Sequence, residues 1–87
     1  LGGDVSPPRR ISGAWPSAPA GEPRAGVAIV DAYVRDTGEV ERVAEVSGDK
    51  RLSGALLEVV LGWRFRPAER KGAPVAARLR IQHVFLP

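Results

Sequence analysis

The chain reads as an α+β domain: a three-stranded antiparallel sheet in the order 2-1-3, with one helix packed on one face, preceded by an extended proline-rich arm. Three observations predict this. Residues 26–34 and 75–86 alternate apolar side chains with others at the period of two that a strand imposes. Residues 52–67, LSGALLEVVLGWRFRP, instead repeat apolar residues every three or four positions, the period of a helix. Residues 1–25 hold five of the eight prolines, and each proline removes an amide donor and keeps its predecessor extended, so neither a regular helix nor a central strand fits there.

The arm, residues 1–25, offers only Val5, Ile11 and Trp15 as sizeable apolar side chains, and Trp15 is its expected anchor. From residue 26 the texture changes. Ala28, Val30, Ala32 and Val34 form a uniformly apolar face of a first strand. Asp36, Thr37 and Gly38 then supply a turn, and residues 40–47 fold back as the second strand of a hairpin. Val40, Val43 and Val46 are three apart rather than two, which predicts a bulge in that strand.

The helix is predicted to begin with Ser53 as its N-cap and to present Leu52, Leu56, Val59, Val60 and Trp63 to the sheet, with Pro67 as its stop. Trp63 and Phe65, in the extended WRFRP segment, are expected to plug one end of the core. Residues 68–74, AERKGAP, are expected to form a turn before the third strand, in which Val75, Ala77, Leu79, Ile81, His83 and Phe85 alternate with Ala76, Arg78, Arg80, Gln82 and Val84. Chain direction sets the third strand antiparallel beside the first, at an edge, and a right-handed crossover puts the helix over one face. Such an edge invites a further strand, with Arg78 and Arg80 as the visible deterrents. An extended peptide added there would take main-chain hydrogen bonds from residues 75–84, and a second copy of the chain could compete as a homodimer.

Composition narrows the function classes. Eighty-seven residues make one domain, which at this size buries only about 60 to 65% of its unfolded surface. There is no cysteine and a single histidine, so thiolate and ordinary zinc sites are excluded, and no cofactor or metal is expected. Asp31, Asp36, Glu39, Glu41 and Glu45 fall on the outer face and turn of a hairpin without a nucleophile or phosphate loop, which reads as solvated charge rather than an enzyme. His83, on the face of Ile81 and Phe85, reads as a structural histidine. The net charge of +3 comes from scattered arginines rather than a run, and stacking aromatics are lacking, so nucleic acid is not an expected partner. No apolar run approaches the roughly 18 residues of a membrane span, and any anchor or leader is expected upstream of residue 1.

The order and spacing of these landmarks resemble the C-terminal domain of the TonB family. They are Gly26, Gly38 with Val40, Leu52 and the helix, the segment from Trp63 to Ala68, Gly72 with Pro74 and Val75, and finally Val84, Phe85 and Leu86. The likeness runs from about Pro7 to Leu86, with residues 26–87 as the domain proper. Where the family carries a Tyr-Pro pair the chain has Trp15-Pro16, and where it has a first short helix, Pro19, Gly21 and Pro23 exclude one. The resemblance implies a periplasmic protein-interaction module of an energy transducer, anchored in the inner membrane through a region absent from this chain. Its implied partners are an extended segment of an outer-membrane transporter and, through the upstream region, inner-membrane motor proteins. An adaptor module of another envelope-spanning machine, for motility or secretion, is the alternative. The partner-binding candidates are then Val75, Ala76, Ala77, Arg78, Leu79, Arg80, Ile81, Gln82, His83 and Val84, with Trp15 and Pro16.

Overall fold

The β-branched first run and the run after Gly38 form a long hairpin because their side chains suit a pleated surface and the turn between them supplies the required positive φ. In the computed structural model, which describes residues 5–21 and 25–86, the elements in chain order are β1 (Val5–Ser6), β2 (Arg9–Ser12), β3 (Gly26–Val34), β4 (Val40–Ser47), α1 (Lys50–Val60), β5 (Arg64–Arg66), β6 (Ala68–Arg70), β7 (Ala73–Val75) and β8 (Ala77–Phe85). The architecture is α+β, with one helix and three antiparallel sheets among the described residues: β4-β3-β8, the ribbon β2-β5, and β1-β6-β7. The expectation resting on Pro23 lies outside the described residues.

In the main sheet β3 is central. Its register with β8 is continuous from Gly26↔Phe85 to Val34↔Ala77. That pairing sets Ala28, Val30, Ala32 and Val34 on the face of α1, where they are buried against Leu52, Leu56, Val60, Ile81 and Phe85. Burying each of the larger of these aliphatic chains stabilises the fold by about 1.5 to 3 kcal/mol. On the other side, β4 makes two register shifts against β3, one at the step from Ile29 to Val30 and one from Tyr33 to Val34. The second skips Glu41, so Val40 and Val43 can both pack on the core despite their three-residue spacing.

The helix is shorter and starts earlier than expected. Asp49, not Ser53, is the N-cap, and its carboxylate accepts from the Arg51 amide at 2.9 Å. Ser53 lies one turn inside, buried, and its hydroxyl donates to Glu45 Oε1 at 2.9 Å, tying α1 to β4. The helix ends at Val60 rather than running towards Pro67, and the amides of Gly62 and Trp63 close tight turns on the carbonyls of Val59 and Val60 at 3.0 Å each. Gly62 is a poor helix former. Beyond it Trp63 and Phe65, each 3% exposed, enter the core from an extended segment.

Two further findings concern the expected turn at residues 68–74 and the expected extended arm. Residues 68–74 form no simple turn. β6 and β7 make a hairpin whose loop is Lys71 at φ 53° and Gly72 at φ 82°, the paired positive angles of a two-residue connection. The third strand accordingly begins at Ala77, and Val75 belongs to β7, opposite Ala68. Within the segment expected to be an extended arm, residues 5–12 hold two short strands, of which β1 pairs with β6 and β2 with β5. Pro7 and Pro8 fall between the two short strands and leave the amides of Arg9–Ser12 free to pair, while the extended geometry that prolines favour is already that of a strand. Val5 and Ile11 contribute little here, at 36% and 64% exposed, so main-chain pairing holds this segment rather than burial.

Gly38 joins the sheets. At φ 90° it closes the β3–β4 turn, its carbonyl accepts from the Phe65 amide at 2.9 Å, and Glu39 bridges Arg64 beside it. A Cβ on Gly38 would stand 2.0 Å from the Phe65 carbonyl oxygen, so only glycine lets β5 approach this closely.

Candidate functional site: the β8 edge and its aromatic flank

Along β8 the alternation assigns the candidate residues to two surfaces. Ala77, Leu79, Ile81 and His83 lie opposite Val34, Ala32, Val30 and Ala28, on the helix side, and Ile81 is only 7% exposed. The side chains of these residues are at most partly exposed. Arg78, Arg80, Gln82 and Val84 lie opposite Tyr33, Asp31, Ile29 and Val27, on the face that no helix covers, and all four are exposed. Val75 and Ala76 precede the strand, and their backbone does not continue its edge. Among the described residues β8 pairs only with β3, so its outward row of amides and carbonyls meets no second strand.

The open face carries its own polar order. Arg80 donates from Nε to Asp31 Oδ1 at 2.9 Å and from Nη2 to Oδ2 at 3.2 Å, a two-pronged clamp from β8 to β3. Asp31 is covered by its neighbours, and the hydrogen bond from Arg80 holds its carboxyl below the ordinary value of 3.8, outweighing the opposing effect of desolvation. The same pairing raises the Arg80 guanidinium, which stays charged. One row on, the Arg42 guanidinium lies 3.8 Å from the centre of the Tyr33 ring, and Arg78 occupies the register position on Tyr33's other side.

Trp15 comes to the helix side of β8. Its ring stacks on His83 at 5.0 Å and 13°, and meets Trp63 edge-on at 4.8 Å and 87°. His83 in turn meets Phe85 edge-on at 4.7 Å. The Arg10 guanidinium stands 5.0 Å from the Trp15 ring and 4.9 Å from the Trp63 ring. Trp63 donates from Nε1 to the Ala14 carbonyl at 2.9 Å, and Gly13, at φ 122°, permits this approach: a Cβ there would fall 2.2 Å from Trp63 Cδ1. Trp15 thus serves as an anchor while 45% of its surface stays exposed, and the half-buried Pro16 leads the chain on.

The sequence reading missed Arg10, Gly13 and Asp31 as parts of this arrangement. Only the Arg-Arg pair at positions 9 and 10 upstream of a Gly-Ala-Trp sequence hinted at a cation held against an aromatic ring. Among the described residues no group of three His, Asp or Glu side chains could hold a metal ion, and no helix is long and apolar enough to cross a membrane.

The family model described as Gram-negative bacterial TonB protein C-terminal matches residues 14–86, from the Ala14 carbonyl that receives the Trp63 indole to the end of β8. The chain belongs to the TonB C-terminal family. Searches of curated proteins and of solved structures returned no match. TonB C-terminal domains are protein-interaction domains of TonB-like energy transducers, periplasmic in Gram-negative bacteria, and the family's partners are outer-membrane transporters. In this TonB-type domain, Trp15-Pro16 begins a passage through residue 21 that forms neither helix nor strand, and Ala18 within it packs on the core.

Proposed function

We propose that this TonB-type domain binds an extended segment of an outer-membrane transporter by strand addition at β8. The incoming strand takes hydrogen bonds from the outward backbone of Ala77–Phe85, and its side chains meet Arg78, Arg80, Gln82 and Val84 on the open face and Trp15 with Pro16 on the other. The observation that carries this reading is the nine-residue strand β8, paired along one side only and flanked by a half-exposed indole. In the complete transducer, an upstream region would anchor the domain in the inner membrane and connect it to the motor proteins there. A second copy of the chain would occupy the same edge and compete.

Titration of the cognate transporter segment into isotopically labelled domain tests this. The amides of β8 and the Trp15 indole should shift most, and a proline in place of Gln82 should abolish binding while leaving a folded spectrum. Largest shifts on β4, at the opposite edge of the sheet, would refute the assignment. An adaptor role in another envelope machine would use the same edge with a different segment, so peptides from transporters would then leave β8 unmoved.

A further inference from the structure

The ribbon β2-β5 carries a second feature that strand addition does not use. Arg9 lies directly opposite Arg66, two like charges where an antiparallel pair is stabilised by opposite ones. Both line one shallow groove of about 430 Å³ with Ser6, Pro7, Pro67 and Glu69. Arg35 pairs with Glu41, Arg64 with Glu39 and Arg80 with Asp31, whereas neither Arg9 nor Arg66 takes part in an ion pair with a described carboxylate. Both arginines are exposed, so a ligand reaches them directly from solvent.

We infer that Arg9 and Arg66 form a binding site for a phosphate group, free or as a lipid headgroup. The two strands of the ribbon each supply one guanidinium, a planar fork of N–H donors, and the Ser6 hydroxyl adds a donor at the groove wall. A phosphate monoester carries a charge of about −1.5 to −2, which matches the pair; a single carboxylate would leave one guanidinium unmatched. Occupancy relieves the repulsion between the arginines, so the ligand and the pairing of β2 with β5 support one another. Glu69, on the same groove, opposes the anion and limits affinity.

The test uses the labelled domain with two probes, sodium phosphate at constant ionic strength and vesicles of phosphatidic acid, whose headgroup is a phosphate monoester, in phosphatidylcholine. Phosphate should shift the amides of Ser6, Arg9 and Arg66 saturably. Arg9→Gln or Arg66→Gln should weaken this by roughly tenfold, the order of a lost charge-assisted hydrogen bond, and Glu69→Gln should strengthen it. Both arginine variants should melt no lower than the parent, since each removes a like-charge contact. Vesicle binding that phosphate displaces and either variant weakens assigns a lipid headgroup; phosphate shifts without vesicle binding assign a soluble phosphate. The inference is overturned by absent shifts at these amides, by vesicle binding that both variants leave intact, or by a drop in melting temperature that marks the arginines as structural.

Discussion

Replacing Trp63 by alanine removes the side chain on which the N-terminal segment and the core both rest. Trp63 is 3% exposed, contacts Trp15 edge-on at 4.8 Å and Phe65 at 6.2 Å, and donates to the Ala14 carbonyl. Truncating a buried aromatic costs about 3 to 5 kcal/mol, in which the lost ring contacts and hydrogen bond are included. A domain of this length is stable by roughly 4 to 13 kcal/mol, so the variant should lose about a quarter or more of its stability and, at the low end, unfold. Urea melts followed by far-ultraviolet circular dichroism measure it, with Trp63→Phe as the control that keeps a ring but loses the indole N–H. Trp63→Phe should fall between the parent and Trp63→Ala. A loss below about 1 kcal/mol in the alanine variant, within the range of ordinary surface substitutions, would refute the placement of Trp63 as the junction of core and ribbon.

Gly38→Ala should destabilise by about 2 kcal/mol or more, because it combines a positive φ with a Cβ driven into a main-chain oxygen that cannot rotate away; thermal melts unchanged from the parent would contradict the docking of β5 on the hairpin turn. Acid should expose the Asp31–Arg80 clamp. Because the folded carboxyl titrates below 3.8, its stabilisation is complete above that pH and is lost as pH falls through the lowered value. Asp31→Asn should therefore be less stable than the parent near neutrality, with the gap closing below pH 3.8, and a gap that stays constant down to about pH 2 would mean that the clamp does not contribute.

The long elements were legible because each carries a period. The alternation of Ala28, Val30, Ala32 and Val34, and that of β8, needed no partner to be seen, and the open edge of β8 followed from chain direction alone. The short strands had no such signal. A three-residue strand such as Arg64–Arg66 or Ala68–Arg70 is shorter than the window in which periodicity can be judged, and its partner lies on the far side of the hairpin and helix. The helix start was ambiguous for a different reason: Asp49 and Ser53 are both favoured caps, and the choice is made by Glu45, which takes the Ser53 hydroxyl. The stack of Trp15 on His83 was hidden likewise, since neither residue's neighbours record where the other will be.

The pairing of β2 with β5 has a kinetic consequence. It closes a loop that contains the entire β3–β4 hairpin and α1, so its entropy cost is met only after those elements have formed. The three-stranded sheet and helix can therefore assemble first, and residues 5–12 zip on last. Run in reverse, the same order makes that segment the first to release, baring the backbone of β5 and β6 and the indole of Trp63 while the main sheet stays intact. A molecule built this way has two thresholds of opening, and a pull entering from the N-terminal side meets the lower one first.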